Sequence, residues 1–278
     1  MNEQSVVCEA CSGLMLRRNG WVLRCPACGF FASTLTPGAG TGIGGLERLR
    51  RSNFEKLLDR LEKLKPLRGT SLLEVGSARG WFLEAAARRG AQVYGIEPEA
   101  ANANLARAAG LPVEVGYFPD GLANAGPYDI IVFNDVFEHI PHPSALIGDI
   151  EARLAPGGLL VINLPSSGGI FFRLARLLES FGIHGPAERL WQKGFPSPHV
   201  SYFKPENLWL LVERRSGLSN ESIFSLASVT REGLSSRIKS SHKGTRGALL
   251  LAGVWALSFA LPLLPADIQV SVFRKPAA

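Results

Sequence analysis

Glu74-Val75-Gly76-Ser77-Ala78-Arg79-Gly80 decides how the rest of the chain is read. An apolar run, 71–75, leads into it, and a helix-like stretch, 80–89, leaves it and is closed by Gly90. The order is strand, glycine turn, helix. In an open parallel sheet, ligands bind beyond the carboxyl ends of the strands, where the strand order reverses. Gly76 and Gly80 let the backbone turn sharply and approach a ligand closely. The free amides opening the helix suit a carboxylate or phosphate. A dinucleotide fingerprint needs glycines at its first, third and sixth positions. Counted from Gly76, the third is Ala78 and the sixth is Trp81, which is far too bulky for close helix–strand contact. The dinucleotide reading fails at two of three positions.

Outward from this loop, strands and helices alternate. Upstream, 46–64 carries leucines and Phe54 at spacings of three and four, an amphipathic helix ended by Pro66. Downstream come a strand at 92–96, a helix at 98–109 and a weak strand at 111–115. A fourth strand at 128–133 and a helix at 144–154 follow, then a turn at Pro156-Gly157-Gly158 and a fifth strand at 159–164. Such alternation implies a parallel sheet covered on both faces. After Pro165 it breaks: 168–181 is apolar and helix-like, a Pro/Gly/His-rich loop runs to Pro205, and 206–215 is helical. Segments 222–229 and 268–273 are read as the sixth and seventh strands.

An acidic residue, one spacer and then glycines describe Glu74, Gly76 and Gly80. This resembles motif I of the class I S-adenosylmethionine-dependent methyltransferases. The resemblance implies that Glu74 helps hold the methionine amino group, while the backbone of Gly76, Ser77, Ala78 and Gly80 contacts the rest of that moiety. Ala78 departs from the family's usual central glycine. Glu97 ends the second strand, about 20 residues past the loop, where a carboxylate can accept both ribose hydroxyls; alone, it reads as a charge favoured at a helix start. The run Tyr128 to Ile140 and the turn Leu154-Ala155-Pro156-Gly157-Gly158 look like the fourth strand and the turn before the fifth in the branch of ubiquinone-type and deoxysugar methyltransferases. The likeness covers 46–164. It implies an α/β fold, a seven-stranded, mostly parallel Rossmann-like sheet with helices on both faces. Tyr117 and Phe118 offer aromatic faces for adenine, with loop packing as the alternative.

Methyl transfer is an in-line displacement in which positioning supplies much of the catalysis. A base is needed only if the nucleophile has a proton to lose. Asn134 and Asp135 end the fourth strand beside the expected sulfonium. His139 is the natural general base, since an imidazole titrates near neutrality; Glu138 reads as structural. His199 is the rival, in Pro198-His199-Val200-Ser201-Tyr202-Phe203, with Tyr202 to assist, or else it caps the helix near Pro205. His184 faces solvent.

All four cysteines lie in residues 1–36. Cys8-x-x-Cys11 and Cys25-x-x-Cys28, thirteen residues apart, read as two knuckles of a zinc ribbon. A closed four-thiolate site is a folding staple rather than a centre of chemistry. The polar amino terminus shows no secretory signal, so the expected compartment is the cytoplasm, where paired cysteines bind metal. The domain plan is then a ribbon (1–36), a Gly-rich linker (37–45) and a methyltransferase domain (46–278), with a cap-like insertion at 166–205 and an apolar helix at 247–265.

That apolar segment carries no charge from 248 to 265 and follows Arg237, Lys239, His242, Lys243 and Arg246. It reads as an interfacial helix with a basic collar, lying on the inner face of the membrane; a buried core helix is the alternative. The chain is 46% hydrophobic and 19% charged, a folded composition, and its net charge of +6 favours an anionic partner. The resulting function is methylation of a small-molecule, sugar or lipid-linked acceptor. An RNA methyltransferase using the basic ribbon (Arg17, Arg18, Arg24) is the alternative; no Asn-Pro-Pro-Tyr or catalytic-cysteine motif supports it. A non-catalytic binding module is the third.

Overall fold

In the computed structural model, residues 6–38, 47–229, 253 and 264–277 are described. Most of the 37–45 linker and of the 247–265 segment therefore lies outside the described residues.

The central sheet is built from β4 (Ser71–Val75), β5 (Gln92–Glu97), β6 (Val113–Val115), β7 (Tyr128–Asn134), β8 (Leu154–Pro165), β10 (Ser219–Leu226) and β11 (Ile268–Arg274), in the order β10-β11-β8-β7-β4-β5-β6. Only β11 runs against its neighbours, pairing antiparallel with both β8 and β10. The expected seven-stranded, mostly parallel sheet is the one observed, including both late strands. The order reverses between β4 and β7, so their carboxyl ends open one crevice.

The strands are apolar at consecutive positions because both faces are buried. Leu72, Ile130, Val132, Leu159 and Val161 face α1 (Glu47–Leu64), α2 (Trp81–Arg88) and α3 (Ala100–Ala108). Leu73, Val75, Ile131, Phe133, Leu160 and Ile162 face the other way, toward α4 (Pro143–Arg153) and α7 (Pro205–Arg215). Leu57, Leu58 and Leu61 of α1 are fully buried, and truncating any of them to Ala costs about 2–5 kcal/mol.

The expected turn at Pro156–Gly158 is instead a bulge within β8. Tyr128 pairs with Leu154 and Ile130 with Leu159, so the longer β8 run loops out between them. Gly157, at φ 69°, supplies the left-handed residue this needs. The region expected as a loop before Pro205 contains α6 (Gly185–Leu190) and β9 (Ser201–Tyr202), after α5 (Ile170–Ser180).

The amino-terminal residues form β1 (Leu16–Arg17), β2 (Val22–Arg24) and β3 (Phe31–Ser33). Their sheet takes its fourth strand from far along the chain, in the order β1-β2-β3-β9. Cys8, Ala10, Met15, Leu23, Cys25 and Phe30 belong to the same buried cluster as the β7–β8 face of the large sheet. Glu9 adds a polar tie: its carboxylate accepts from His142 Nδ1 at 3.2 Å and from the Ser144 hydroxyl at the start of α4.

Candidate active site

The turn after β4 brings the first group together. Gly76 and Gly80 sit at φ 72° and 78°. A Cβ on Gly76 would come within 2.5 Å of Val136, and one on Gly80 within 2.4 Å of Leu111. Both positions therefore need glycine for conformation and for space. Ala78 is also left-handed, at φ 46°, and is held there as its N–H donates to Glu97 Oε2 at 2.8 Å. The other Glu97 oxygen accepts from the Glu99 N–H at 2.9 Å. Burial raises the Glu97 pKa, and these two amide bonds work against that rise.

Glu74 is almost fully buried on β4. One oxygen accepts from Asn134 Nδ2 at 2.8 Å; Oε2 has no partner among the described residues, nor does the buried Ser77 hydroxyl. Burial pushes the Glu74 carboxyl up to about 8, opposed by the Asn134 bond and reinforced by the charge of Glu97. Asn134 is itself aimed by Asn163 on β8, whose Nδ2 donates to Asn134 Oδ1 at 3.3 Å. Asp135 follows at φ 53°, its N–H donating to the Asn163 carbonyl, and it pairs with Arg50 of α1 at 3.5 Å. Arg50 and Asn163 are the residues that sequence reasoning missed. Arg50 hides among neighbouring arginines; Asn163, a lone amide in an apolar strand, was a readable signal.

The two aromatic candidates separate. Tyr117 is 68% exposed. Phe118 packs edge-on against Phe133 at 6.0 Å and under the Arg153 guanidinium at 5.5 Å, the loop-packing alternative.

The histidine candidates, distant in sequence, converge: the rings of His139 and His199 lie 4.8 Å apart. His139 sits on a 3-10 turn, Phe137–His139, after β7. The Pro198 carbonyl, an acceptor only, lies 2.9 Å from His139 Nδ1, so that nitrogen carries the proton and Nε2 keeps its lone pair. His199 is differently placed. Tyr202 donates its hydroxyl to the Leu190 carbonyl, so His199 Nδ1–H donates to the Tyr202 oxygen at 2.9 Å, and Gln192 Nε2 donates to His199 Nε2 at 2.8 Å. Both His199 nitrogens and the Tyr202 hydroxyl are thus engaged inside the protein. Burial depresses both histidines, His199 strongly, and raises the Tyr202 hydroxyl and the Glu138 carboxyl.

Away from this crevice, the four cysteine sulfurs lie within 4.8 Å of one another. Cys8–Cys28 and Cys11–Cys25 are separated by 3.6 and 3.4 Å. A tetrahedral zinc with Zn–S of about 2.3 Å places its sulfurs about 3.8 Å apart. The Gly13 amide donates to Cys11 Sγ, and Gly29 closes the second knuckle at φ 76°. The donor set fits zinc.

The family described as "Methyltransferase domain" matches residues 46–223. The chain is similar to the ubiquinone biosynthesis O-methyltransferase of Xylella fastidiosa, 31% identical over 175 residues, covering 60% of this chain and 68% of that one. It is also similar to the enzyme of the same name from Paramagnetospirillum magneticum, 36% identical over 117 residues, or 40% and 47% of the two chains. In fold it resembles the magnesium protoporphyrin IX methyltransferase of Synechocystis PCC 6803, with TM-score 0.55, 13% identity and coverage of 86% and 90%. An S-adenosylmethionine-dependent methyltransferase from Mesorhizobium loti gives TM-score 0.53, 15% identity and coverage of 78% and 96%. The glycine turn at the switch point, the strand order and these matches agree: the chain belongs to the methyltransferase-domain family and is a class I S-adenosylmethionine-dependent methyltransferase.

Proposed function

We propose that the protein methylates a hydroxyl oxygen of a small-molecule acceptor, of the kind handled in ubiquinone biosynthesis. The observation that carries the reading is a pair of buried, unspent polar atoms, Glu74 Oε2 and Ser77 Oγ, at the switch point beside Glu97. Buried polar groups are ordinarily satisfied, and these two are placed to be satisfied by a ligand. The relatives' shared description as O-methyltransferases supports the oxygen acceptor.

In this reading, S-adenosylmethionine, when bound, supplies an electrophilic methyl on a sulfonium. Glu74 takes the ligand's ammonium, which favours its ionised form. The close-approach turn Gly76–Gly80 with Ser77 and Ala78 holds the carboxyl end, Glu97 the ribose, and Asn134 and Asp135 border the sulfur. Tyr117, exposed beyond β6, is the remaining aromatic for the base. His139 Nε2 would accept the acceptor's hydroxyl proton as the O–C bond forms and the methyl's bond to sulfur breaks, its electron pair staying on sulfur; His199 and Tyr202 hold the wall behind it. Calorimetric titration with S-adenosylhomocysteine, for the wild type and Glu74→Ala, tests the site. Binding by the wild type with at least a tenfold loss in the variant is expected; a wild type that binds nothing overturns it. Mass spectrometry of extracts incubated with isotope-labelled donor then identifies the acceptor, sugar and lipid-linked ones included.

We further propose that the cysteines hold a structural zinc in a reducing cytoplasm, making 1–36 a ribbon beside the 46–278 domain, with 166–205 its cap. Contact with the inner membrane face through 247–265 remains part of the proposal. Among the described residues no helix is long and apolar enough to cross a membrane. Two observations favour surface contact. The Ile170 N–H donates to the Pro265 carbonyl, so the apolar segment ends where α5 begins. On and just after α5, Leu174, Leu177, Phe181 and Ile183 are 44–74% exposed. Co-sedimentation with anionic liposomes is expected for the full chain and reduced for one lacking 248–263; equal, negligible binding of both would sink the idea.

A further inference from the structure

One face of the small sheet carries more cations than its neighbours account for. β1 and β2 pair with Leu16 opposite Arg24, and the Arg18 N–H donates to the Val22 carbonyl, so Leu16, Arg18, Val22 and Arg24 share a face. Arg24 stands opposite Phe31, and Phe31 opposite Tyr202, which extends that face across β3 to β9. Helix α5 lies over it: Phe172 packs on Phe31 at 5.2 Å and on Tyr202 at 4.7 Å.

Two guanidiniums converge on the Phe31 ring. Arg24 lies 5.7 Å from its centroid and Arg176 of α5 lies 4.9 Å from it. Like charges gathered around one ring repel, and something must offset that cost. Among the described residues, none of Arg18, Arg24 and Arg176 has a carboxylate within 4.0 Å, although nine other lysine and arginine side chains do. The nearby carboxylate, Glu179, accepts from Asn19 Nδ2 at 2.9 Å. Arg24 Nε is buried and has no acceptor. Burial first, then the charges of Arg18 and Arg24, depress the Arg176 pKa against the pull of Glu179. Arg176 and Glu179 also line a small cleft with Val22, Phe172 and Trp191. Guanidiniums pre-oriented on an aromatic face, with unused N–H groups, are the donor type that recognises phosphate oxygens bidentately.

We propose that Arg18, Arg24 and Arg176 form a binding site for a phosphate or diphosphate group at the junction of the small sheet and α5. The site is distinct from the crevice at β4 and β7 and stands whether or not the acceptor reading above is right. The group could belong to a soluble phosphate ester or to a lipid headgroup; Leu174 and Leu177 are exposed on the same helix for the second case.

The test uses the full chain, wild type and the double variant Arg24→Gln/Arg176→Gln, with Arg214→Gln on the exposed side of α7 as the charge control. Thermal melting establishes that all three are folded. Inorganic pyrophosphate is titrated calorimetrically, and vesicles of phosphatidylcholine with and without phosphatidic acid are co-sedimented. Pyrophosphate binding that weakens about tenfold or more in the double variant, and not in Arg214→Gln, supports the site with a soluble source. Loss of phosphatidic-acid-dependent sedimentation in the double variant alone supports it with a headgroup source. Wild-type and double-variant chains that behave alike toward both probes, or a wild type that binds neither, overturn it.

Discussion

Glu74 is a carboxyl kept protonated by burial, and that has a thermodynamic signature. Its folded pKa, about 8, lies above the ordinary carboxylate value. Between the two values the unfolded chain has lost a proton that the folded chain keeps, so ligand-free stability falls as pH rises through that window. The slope approaches 1.4 kcal/mol per pH unit. Denaturation between pH 5 and 8 should show this decline, and Glu74→Gln should flatten it. If Glu74 meets the ligand's ammonium, S-adenosylhomocysteine binding near pH 7 releases a proton, so binding heats measured in buffers of different ionisation enthalpy should differ for the wild type and agree for Glu74→Gln. At Ala78 the strain is conformational. An L-residue at φ 46° costs on the order of 1 kcal/mol, so Ala78→Gly should raise the melting temperature by about 2 °C, and a fall would show that the turn is held by contacts the methyl makes. The histidines divide by their free nitrogen. His139→Gln should lower kcat by about 10²–10⁴ with S-adenosylhomocysteine affinity unchanged, and the wild-type acid limb should lie below the ordinary imidazole value, since burial depresses His139. His199→Gln, by breaking bonds to Tyr202 and Gln192, should show mainly as lost stability.

At the scale of elements, the small sheet and the stretch from α5 to α7 are one construction. β9 is the fourth strand of the small sheet, and the Asn207 amide at the start of α7 donates to the Cys28 carbonyl at 3.4 Å. The residues behind His139 are therefore braced by the cysteine-bearing knuckles. If the four cysteines hold zinc as proposed, its chelation, like Cys25→Ser, should lower thermal stability and raise the acceptor KM, while S-adenosylhomocysteine affinity holds; a parallel loss of both affinities would show a general collapse instead. Much of the sheet was legible in sequence because its strands are short apolar runs between glycine turns, and motif I marked the switch point. β9 and α6 were not, since two residues of β9 and six of α6 carry no periodicity and exist only where β3 and α5 pack on them. The β8 bulge was read as a turn for a related reason: Pro156-Gly157-Gly158 punctuates the chain identically in either setting, and only the pairing of β8 with β7 distinguishes them. The convergence of His139 with His199 was equally invisible, being set by the Pro198 carbonyl 59 residues away.

Across the whole molecule, the sheet is built in two directions. Its parallel part, β4 to β8, is complete by Pro165, but β10 touches that part only through β11. Strand β10 is made first and has no partner in the sheet until Ile268–Arg274 slots in between it and β8. During synthesis there is thus an interval in which two sheet edges, β8 and β10, stand open across a gap one strand wide. Nascent chains stalled ahead of Ile268 should already protect the β4–β8 part from protease while leaving 219–226 cleavable, and release of the remaining residues should close both edges in a single step.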